Sequence, residues 1–339
     1  MKFLVVGAGA IGGITAALLK KAGYDVEIVC KYNDYASLIA TRGIEVRGIC
    51  GNFLIPMRAY SSLSQVKEKK DIILHATKAT DMVESAREAG RVLKDTGFVV
   101  SMQNGICGDD LELVLGKDRV IECVTGWGAT MISAGNLEMT STGDFILGYP
   151  RRDTDEFLVS LAAIMSVVVP AKTSDNILGH LYAKLIINSC ITSLGAICGL
   201  YLGKMLAIRK IRNIFIEIIK EAVAVAEKMK LKVEIFGGRL DFVKFIQGDS
   251  IIADIRRHMT IRFIGFQYRK LKSSSLQSLE RGKRTEVDYF NGYIVKNGNE
   301  YGVPVPVNRA VTDIIHQIEN KTKGITLANF NDPVFNKYI

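Results

Sequence analysis

Through its first 170 residues the chain alternates short apolar runs with segments of helical composition. The apolar runs fall at residues 3–6, 25–30, 71–76, 97–102, 120–125 and 145–147. Between them, residues 14–22 and 81–93 have helical composition, and the first of these stops at Gly23, a natural residue just past a helix end. Strands alternating with helices predict a mostly parallel sheet covered on both faces. After Pro170 the texture changes. Residues 177–198, 208–230, 236–246 and 305–319 have helical length and spacing, and strand-like alternation largely disappears. The expected architecture is α/β plus all-α. A Rossmann-type doubly wound domain covers residues 1–170 and a helical domain covers 171–320, with the change near 171–176. An irregular tail follows over 321–339.

The first turn of the chain carries the clearest chemistry. Gly7-Ala8-Gly9-Ala10-Ile11-Gly12 is a GxGxxG that follows a strand candidate, opens a helix and begins a βαβ unit, which is the context the pattern requires. Gly7 permits the tight turn, Gly9 lets the backbone approach a pyrophosphate, and Gly12 allows close helix–strand packing. The pyrophosphate would sit on the helix N-terminus, where free N–H groups and the helix dipole favour an anion. At the end of the second strand, NAD binders place a carboxylate for the ribose 2′-hydroxyl. This chain reads Val29-Cys30-Lys31-Tyr32. Lys31 can pair with a 2′-phosphate, which favours NADP(H); the alternative is an ordinary surface lysine.

Composition narrows the class. The 339 residues are 48% hydrophobic and 23% charged, which excludes a disordered, collagen-like or coiled-coil chain. The net charge of +9 is uneven: residues 1–170 sum to −2 and residues 171–339 to +11. A basic half suits small anions, nucleic acid, an anionic membrane or simply a solvated surface. No two of the six cysteines are spaced as CxxC, and the four histidines lie far apart, so no metal site is expected. The N-terminal apolar run is too short for a secretory signal, and the longest apolar stretch, 158–169, falls short of a bilayer span. A soluble cytoplasmic protein is expected, without a membrane partner.

Three further segments resemble the ketopantoate reductase family. Thr77-Lys78-Ala79 and Gln103-Asn104-Gly105 follow the fourth and fifth strand candidates. Ala183-Lys184-Leu185-Ile186-Ile187-Asn188 is similar to the family's KLxxN. Ser273-Ser274-Ser275-Leu276-Gln277, with Arg284-Thr285-Glu286-Val287-Asp288-Tyr289-Phe290-Asn291-Gly292 beyond it, resembles the signature SSMxQD…RxTEIDxxNG. The resemblance runs from residue 1 to about 318. It implies NADPH-dependent reduction of 2-dehydropantoate to pantoate, in pantothenate biosynthesis. Lys184 is then the general acid, Glu286 contacts cofactor and substrate, Asn188 and Ser274 hold the substrate, and Thr192 and Gln277 lie beside them. Lys78, Asn104 and the Ala129 backbone line the cofactor. The spacing agrees: Lys184 and Asn188, four apart, share a helix face, and a developing alkoxide needs a nearby cation or proton donor. A homodimer through the helical domain is also implied, and residues 177–198 and 208–225 are apolar enough to supply it.

Some positions depart from the family pattern. Thr192 and Leu202 stand where asparagines are expected, Ser193 where proline is frequent, and Ser278 where an Asp follows Gln277. Lost amide side chains change substrate discrimination, so another branched 2-oxo acid or an opine-like compound stays open. A non-catalytic NADP-binding protein, or a nucleic-acid binder using Arg256, Arg257, Arg262, Arg269, Lys270 and Lys272, is the remote alternative. There, Ile261, Ile264 and Tyr268 on one side of a helix point instead to a core-facing helix, so no nucleic acid is expected.

Overall fold

The computed structural model describes residues 1–338, and its contacts divide the chain into two units, Met1–Ile177 and Leu178–Ile339. In chain order the first unit holds β1 (Lys2–Val6), α1 (Ala10–Lys21), β2 (Asp25–Val29), α2 (Asn33–Arg42), β3 (Ile44–Gly48), β4 (Phe53–Ile55), β5 (Arg58–Tyr60) and β6 (Lys70–His75). There follow α3 (Met82–Val92), β7 (Leu93–Ser101), α4 (Gly108–Leu115), β8 (Val120–Thr125), β9 (Gly128–Ser133), β10 (Asn136–Ser141), β11 (Phe145–Gly148), α5 (Glu156–Met165) and β12 (Ala171–Thr173).

Eight strands form one sheet in the order β12-β11-β8-β7-β6-β1-β2-β5. From β8 to β5 every pairing is parallel, whereas β11 runs against β8. Its central strands are apolar because both faces are covered. The chain steps from β1 to β2 on one side, then crosses to β6 on the other. The strand order therefore reverses between β1 and β6, and ligands gather at the carboxyl ends of such a switch point.

A second sheet, β4-β3-β10-β9, was not foreseen in the sequence. Its strands are short and half-exposed, and three of the four mix polar with apolar residues; β4 is apolar but only three residues long. Helix α1 lies between the two sheets, and its adjacent glycines explain how. A Cβ on Gly12 would stand 2.1 Å from the Gly7 oxygen and 2.9 Å from Ala76 Cβ. One on Gly13 would stand 2.4 Å from Leu137 Cδ1 of β10.

The second unit is helical: α6 (Ile177–Cys198), α7 (Leu202–Met205), α8 (Arg209–Lys228), α9 (Phe242–Ile246), α10 (Ile251–Gln267), α11 (Ser274–Glu280), α12 (Asn291–Tyr301) and α13 (Pro306–Glu319). Helices α6 and α8 form its centre, joined by the Tyr182 hydroxyl donating to the Ala222 carbonyl at 2.7 Å. A helix apolar all round is a buried one. Among the described residues α6 is the one helix long and apolar enough to cross a membrane, and 83% of the apolar window lies inside the fold. The longest apolar stretch is therefore α6, not residues 158–169. Serine, threonine and asparagine scattered along α6 disguise it.

Two other expectations change. Residues 171–173 form β12, paired with β11 inside the first unit. Residues 236–246 are helical only from Phe242, because Gly237 and Gly238 take positive φ and Phe236 bridges back to Leu240. The irregular tail packs onto the unit: 3-10 turns at Leu327–Asn331 and Phe335–Tyr338 bury Phe330 and Phe335. Asn213 donates to the Tyr338 carbonyl at 2.6 Å.

Candidate active site

The glycine-rich turn joins β1 to α1. Gly7 has φ +108°, and a Cβ there would lie 2.7 Å from the Ala76 carbonyl carbon and oxygen, in the loop after β6. The two loops at the switch point thus touch through bare backbone. Gly9 differs: nothing lies within 4 Å of its would-be Cβ. It caps α1 with no side-chain hydrogen bond, and no acidic residue occupies the first turn. The first N–H groups of α1 are left for a ligand or water. The Tyr35 hydroxyl donates to the Ala8 carbonyl at 2.7 Å and pins the turn.

A cavity of about 260 Å³ opens at the ends of β1, β2 and β6, with Gly7, Cys30, Lys31, Ser62, Thr77 and Asp81 among its walls. Lys31 is largely exposed and pairs with Asp81 at 2.8 Å, a contact that raises the lysine pKa. Lys78 is exposed at the head of the Ala79–Asp81 turn. Asn104 is half-buried after β7, and Ala129 is half-buried in β9, paired with Met139. Backbone N–H groups, an open Cβ position and an exposed, ion-paired cation suit a dinucleotide carrying phosphate.

Beneath these loops lies a polar row that no sequence pattern announced. His75, Ser101 and Glu122 are cross-strand neighbours on β6, β7 and β8, all buried. Gln103 joins them: its Nε2 donates to His75 Nδ1 at 2.5 Å, and its Oε1 accepts from the Ser101 hydroxyl at 2.9 Å. Ser85 of α3 donates to the Asp81 carbonyl, so His75 Nε2, 2.8 Å away, is the protonated nitrogen. Burial lowers the His75 pKa to about 4 and raises that of Glu122 to about 7, although Ser101 and the N–H groups of Gly108 and Cys107 work against the latter shift. The row fixes the loops carrying Thr77, Lys78 and Asn104.

In the second unit, every residue of α6 from Leu181 to Cys198 is buried except Lys184, Asn188 and Ile191. With half-buried His180 they make one stripe at helical spacing. Thr192 is 8% exposed, and its hydroxyl donates to the Asn188 carbonyl at 2.8 Å. Glu286 is half-buried ahead of the 3-10 turn Val287–Tyr289. Its neighbours are structural. The Thr285 N–H and hydroxyl both donate to Glu319 at 2.7 Å, and Asp288 pairs with His316 at 2.9 Å rather than with Arg284 or Lys283.

Asn291 accepts from the Ser193 hydroxyl at 2.5 Å and donates to Asn308 Oδ1 at 2.9 Å. Asn308 in turn donates to Glu221. This buried cluster ties α6, α8, α12 and α13, and so fixes the helix of Lys184 against the segment of Glu286. Ser273 caps α11 by accepting from the Leu276 N–H, leaving Ser274 exposed. Gln277 donates to the Lys272 carbonyl at 3.2 Å.

A switch-point sheet with a glycine-opened helix, followed by a helical unit whose central helix leaves Lys184 and Asn188 accessible, defines a dinucleotide-binding α/β protein with a helical partner unit. Family models describe both parts: "Ketopantoate reductase PanE/ApbA" over residues 3–152 and its C-terminal counterpart over 176–319. The chain belongs to the ketopantoate reductase family, a family of oxidoreductases. A 2-dehydropantoate 2-reductase of Aquifex aeolicus is 28% identical over 319 residues, 93% of this chain and 96% of that protein. A crystal structure of a PanE/ApbA family ketopantoate reductase from Ralstonia eutropha is 28% identical with a TM-score of 0.81, covering 95% and 99% of the two chains. A D-mandelate dehydrogenase solved with NADH and anilino(oxo)acetate shares the fold at 22% identity, with a TM-score of 0.80 and coverage of 95% and 99%.

Proposed function

We propose that the chain is a cytoplasmic NADPH-dependent reductase of a small 2-oxo acid, with 2-dehydropantoate the first candidate and pantoate its product. In this reading residues 1–170 serve the cofactor and 171–320 the substrate. The observation that carries it is the half-buried Lys184–Asn188 stripe on an otherwise buried α6, in a chain whose α1 is opened by glycine and left uncapped. The backbone of Gly7, Ala8, Gly9, Ala10, Ile11 and Gly12 would hold the pyrophosphate. Lys31 would exchange Asp81 for the 2′-phosphate, a charge-assisted contact. Lys78, Asn104, the Ala129 backbone and Glu286 would complete the cofactor's surroundings. When bound, NADPH supplies the hydride.

The rest is the work of side chains. The Lys184 ammonium would hold the substrate's C2 carbonyl oxygen and deliver a proton to it as negative charge develops there. Asn188, Ser274 and Gln277 would hold its hydroxyl and carboxylate. Thr192 has committed its hydroxyl hydrogen to Asn188, so towards a substrate it can only accept. That supports a second reading. Neither Thr192 nor the buried Leu202 replaces the amide donors expected there, which favours a branched 2-oxo acid with fewer acceptors than ketopantoate. Purified enzyme offered NADPH with ketopantoate and a panel of branched 2-oxo acids is the test. Oxidation of NADPH with ketopantoate supports the first reading. A rival tenfold better in kcat/KM supports the second, and no turnover with any of them overturns both.

A further inference from the structure

Helix α12 ends on Gly302, which takes a left-handed φ of +69°, and α13 opens on Pro306. The turn between them and the C-terminal tail enclose a cavity of about 450 Å³ that lies wholly within the second unit. That is the size of a small-molecule site. Its floor is apolar: Val305, Ala310 and Ile314 are buried, and Val303 and Val334 stand half-buried beside them. Asp332 and Val334 come from the tail, beyond residues 176–319, which the family model describes. Buried Phe330 and Phe335 fix the tail there, and Lys210 donates to Asn331 at 3.1 Å.

The rim carries charges of both signs. Arg309 and Asp313 stand four apart on α13, so their Cβ atoms lie about 5–6 Å apart on one face, where an ion pair commonly forms. Here Arg309 Nη2 donates instead to Asn299 Oδ1 of α12 at 2.6 Å, and among the described residues neither Arg309 nor Asp313 has an ion-pair partner. The guanidinium has donors left over. Asp332 accepts from the Val334 N–H at 3.0 Å through one carboxylate oxygen, and its other oxygen is uncommitted.

We propose that this cavity binds a free α-amino acid with an apolar side chain. The ligand's carboxylate takes the remaining donors of Arg309, its ammonium takes Asp313 and Asp332, and its side chain rests on the apolar floor. A free amino acid carries both charges on one carbon, which suits a cation and a carboxylate one helical turn apart. A simple anion or cation would leave charge of one sign unanswered and the floor empty. A residue inside a peptide carries neither charge. Because Asp332 belongs to the tail and Asp313 to α13, a bound ammonium ties the tail to the helix. The site uses neither Lys184 nor the glycine-rich turn, and it is independent of the proposed reaction and substrate.

Isothermal titration of the full chain with L-leucine is expected to give a Kd on the order of 100 μM, in keeping with so small a ligand. Leucine amide lacks the carboxylate and 4-methylpentanoate lacks the ammonium, and each should bind at least about tenfold more weakly. Arg309→Gln should erase the difference between leucine and leucine amide. Asp313→Asn combined with Asp332→Asn should erase that between leucine and 4-methylpentanoate. Arg309 and Asp313 are exposed and Asp332 is half-buried, so without ligand both proteins should melt, and oxidise NADPH, as wild type does. Leucine at ten times its Kd should slow amide exchange at Phe330 and Phe335 by up to about tenfold. No binding of L-leucine, L-valine or L-phenylalanine up to about 10 mM overturns the proposal. So do analogues that bind as tightly as leucine, variants that bind it unchanged, or leucine displaced by a 2-oxo acid the enzyme reduces, which would place it in the reductase site.

Discussion

In the first unit, what the glycine-rich turn offers beside the cavity at the ends of β1, β2 and β6 is backbone: the uncapped start of α1, the bare Gly9 and the Gly7 turn pressed against Ala76. In the second unit, what remains accessible on α6 between Leu181 and Cys198 is side chain, Lys184, Asn188 and Ile191, on a helix held by a buried polar cluster. Backbone sites depend on glycine and tolerate no Cβ. Side-chain sites depend on a scaffold, and many residues of their sequence signature turn out to be that scaffold. Thr285, Asp288 and Asn291 all bind protein partners, so the signature around Glu286 marks how the segment is anchored as much as what it contacts.

The contrast can be broken first at the glycines. Gly7→Ala should cost roughly 3 kcal/mol or more, because a left-handed residue gains a Cβ against backbone, and it should abolish dinucleotide binding. Gly9→Ala should melt within about 0.5 kcal/mol of wild type yet bind NADPH at least tenfold more weakly. Thermal melts and fluorescence titrations of the two variants give the comparison. Equal behaviour would mean that the open space at Gly9 is not a ligand's.

The second unit predicts the reverse separation. Asn291→Ala should lose about 2–4 kcal/mol of stability, leaving Ser193 and Asn308 unsatisfied. At temperatures where it is folded it should retain kcat. Asn188→Ala should melt normally and raise KM. Chemical denaturation beside steady-state kinetics separates a positioning cluster from a contact with substrate.

A smaller effect comes from the row under the first unit's loops. Glu122 titrates near 7 in the fold and near 4.3 when unfolded. Over that window the unfolded chain holds fewer protons, so stability falls as pH rises and levels off above about 7. Glu122→Gln should therefore be more stable than wild type at pH 8 by up to about 3 kcal/mol, with the gap closing near pH 4.5. His75 acts oppositely. Its lowered pKa costs stability as pH falls from about 6.5 towards 4, and that slope should stand alone in the variant. A pH series of melts that is flat for both proteins would contradict the assignment.

Smallest of all, Lys31→Ala should weaken NADPH about tenfold and leave NADH unchanged, which isothermal titration would show. An equal loss for both cofactors would make Lys31 a general surface charge.

Legibility in the sequence followed the same division. The parallel strands and glycine turn were readable because buried strands are apolar runs and a pyrophosphate turn needs glycine. The small sheet was not, because its strands are half-solvated, β3, β9 and β10 mix polar with apolar residues, and β4 is only three residues long. The His75–Ser101–Glu122 row was invisible because it exists only across strands 26 and 21 positions apart along the chain. In the second unit, helical spacing located α6, α8, α10 and α13 and placed Lys184 beside Asn188, whereas α7, α11 and α12 did not stand out. Spacing cannot say which signature residues face a partner helix, so Asn291 and Thr285 became readable only once their partners were seen. Likewise α10 read as core-facing. Its inner face is, but Tyr268 is 48% exposed and Phe263 and Phe266 point to solvent.

The measurement that bears most directly on the division of labour is equilibrium NADPH binding and turnover by Lys184→Ala, taken side by side with wild type on the best 2-oxo acid. The account predicts NADPH affinity within about twofold and a turnover loss of roughly 1000-fold. Turnover near the wild-type rate would contradict it, as would a folded variant that had lost cofactor binding together with catalysis.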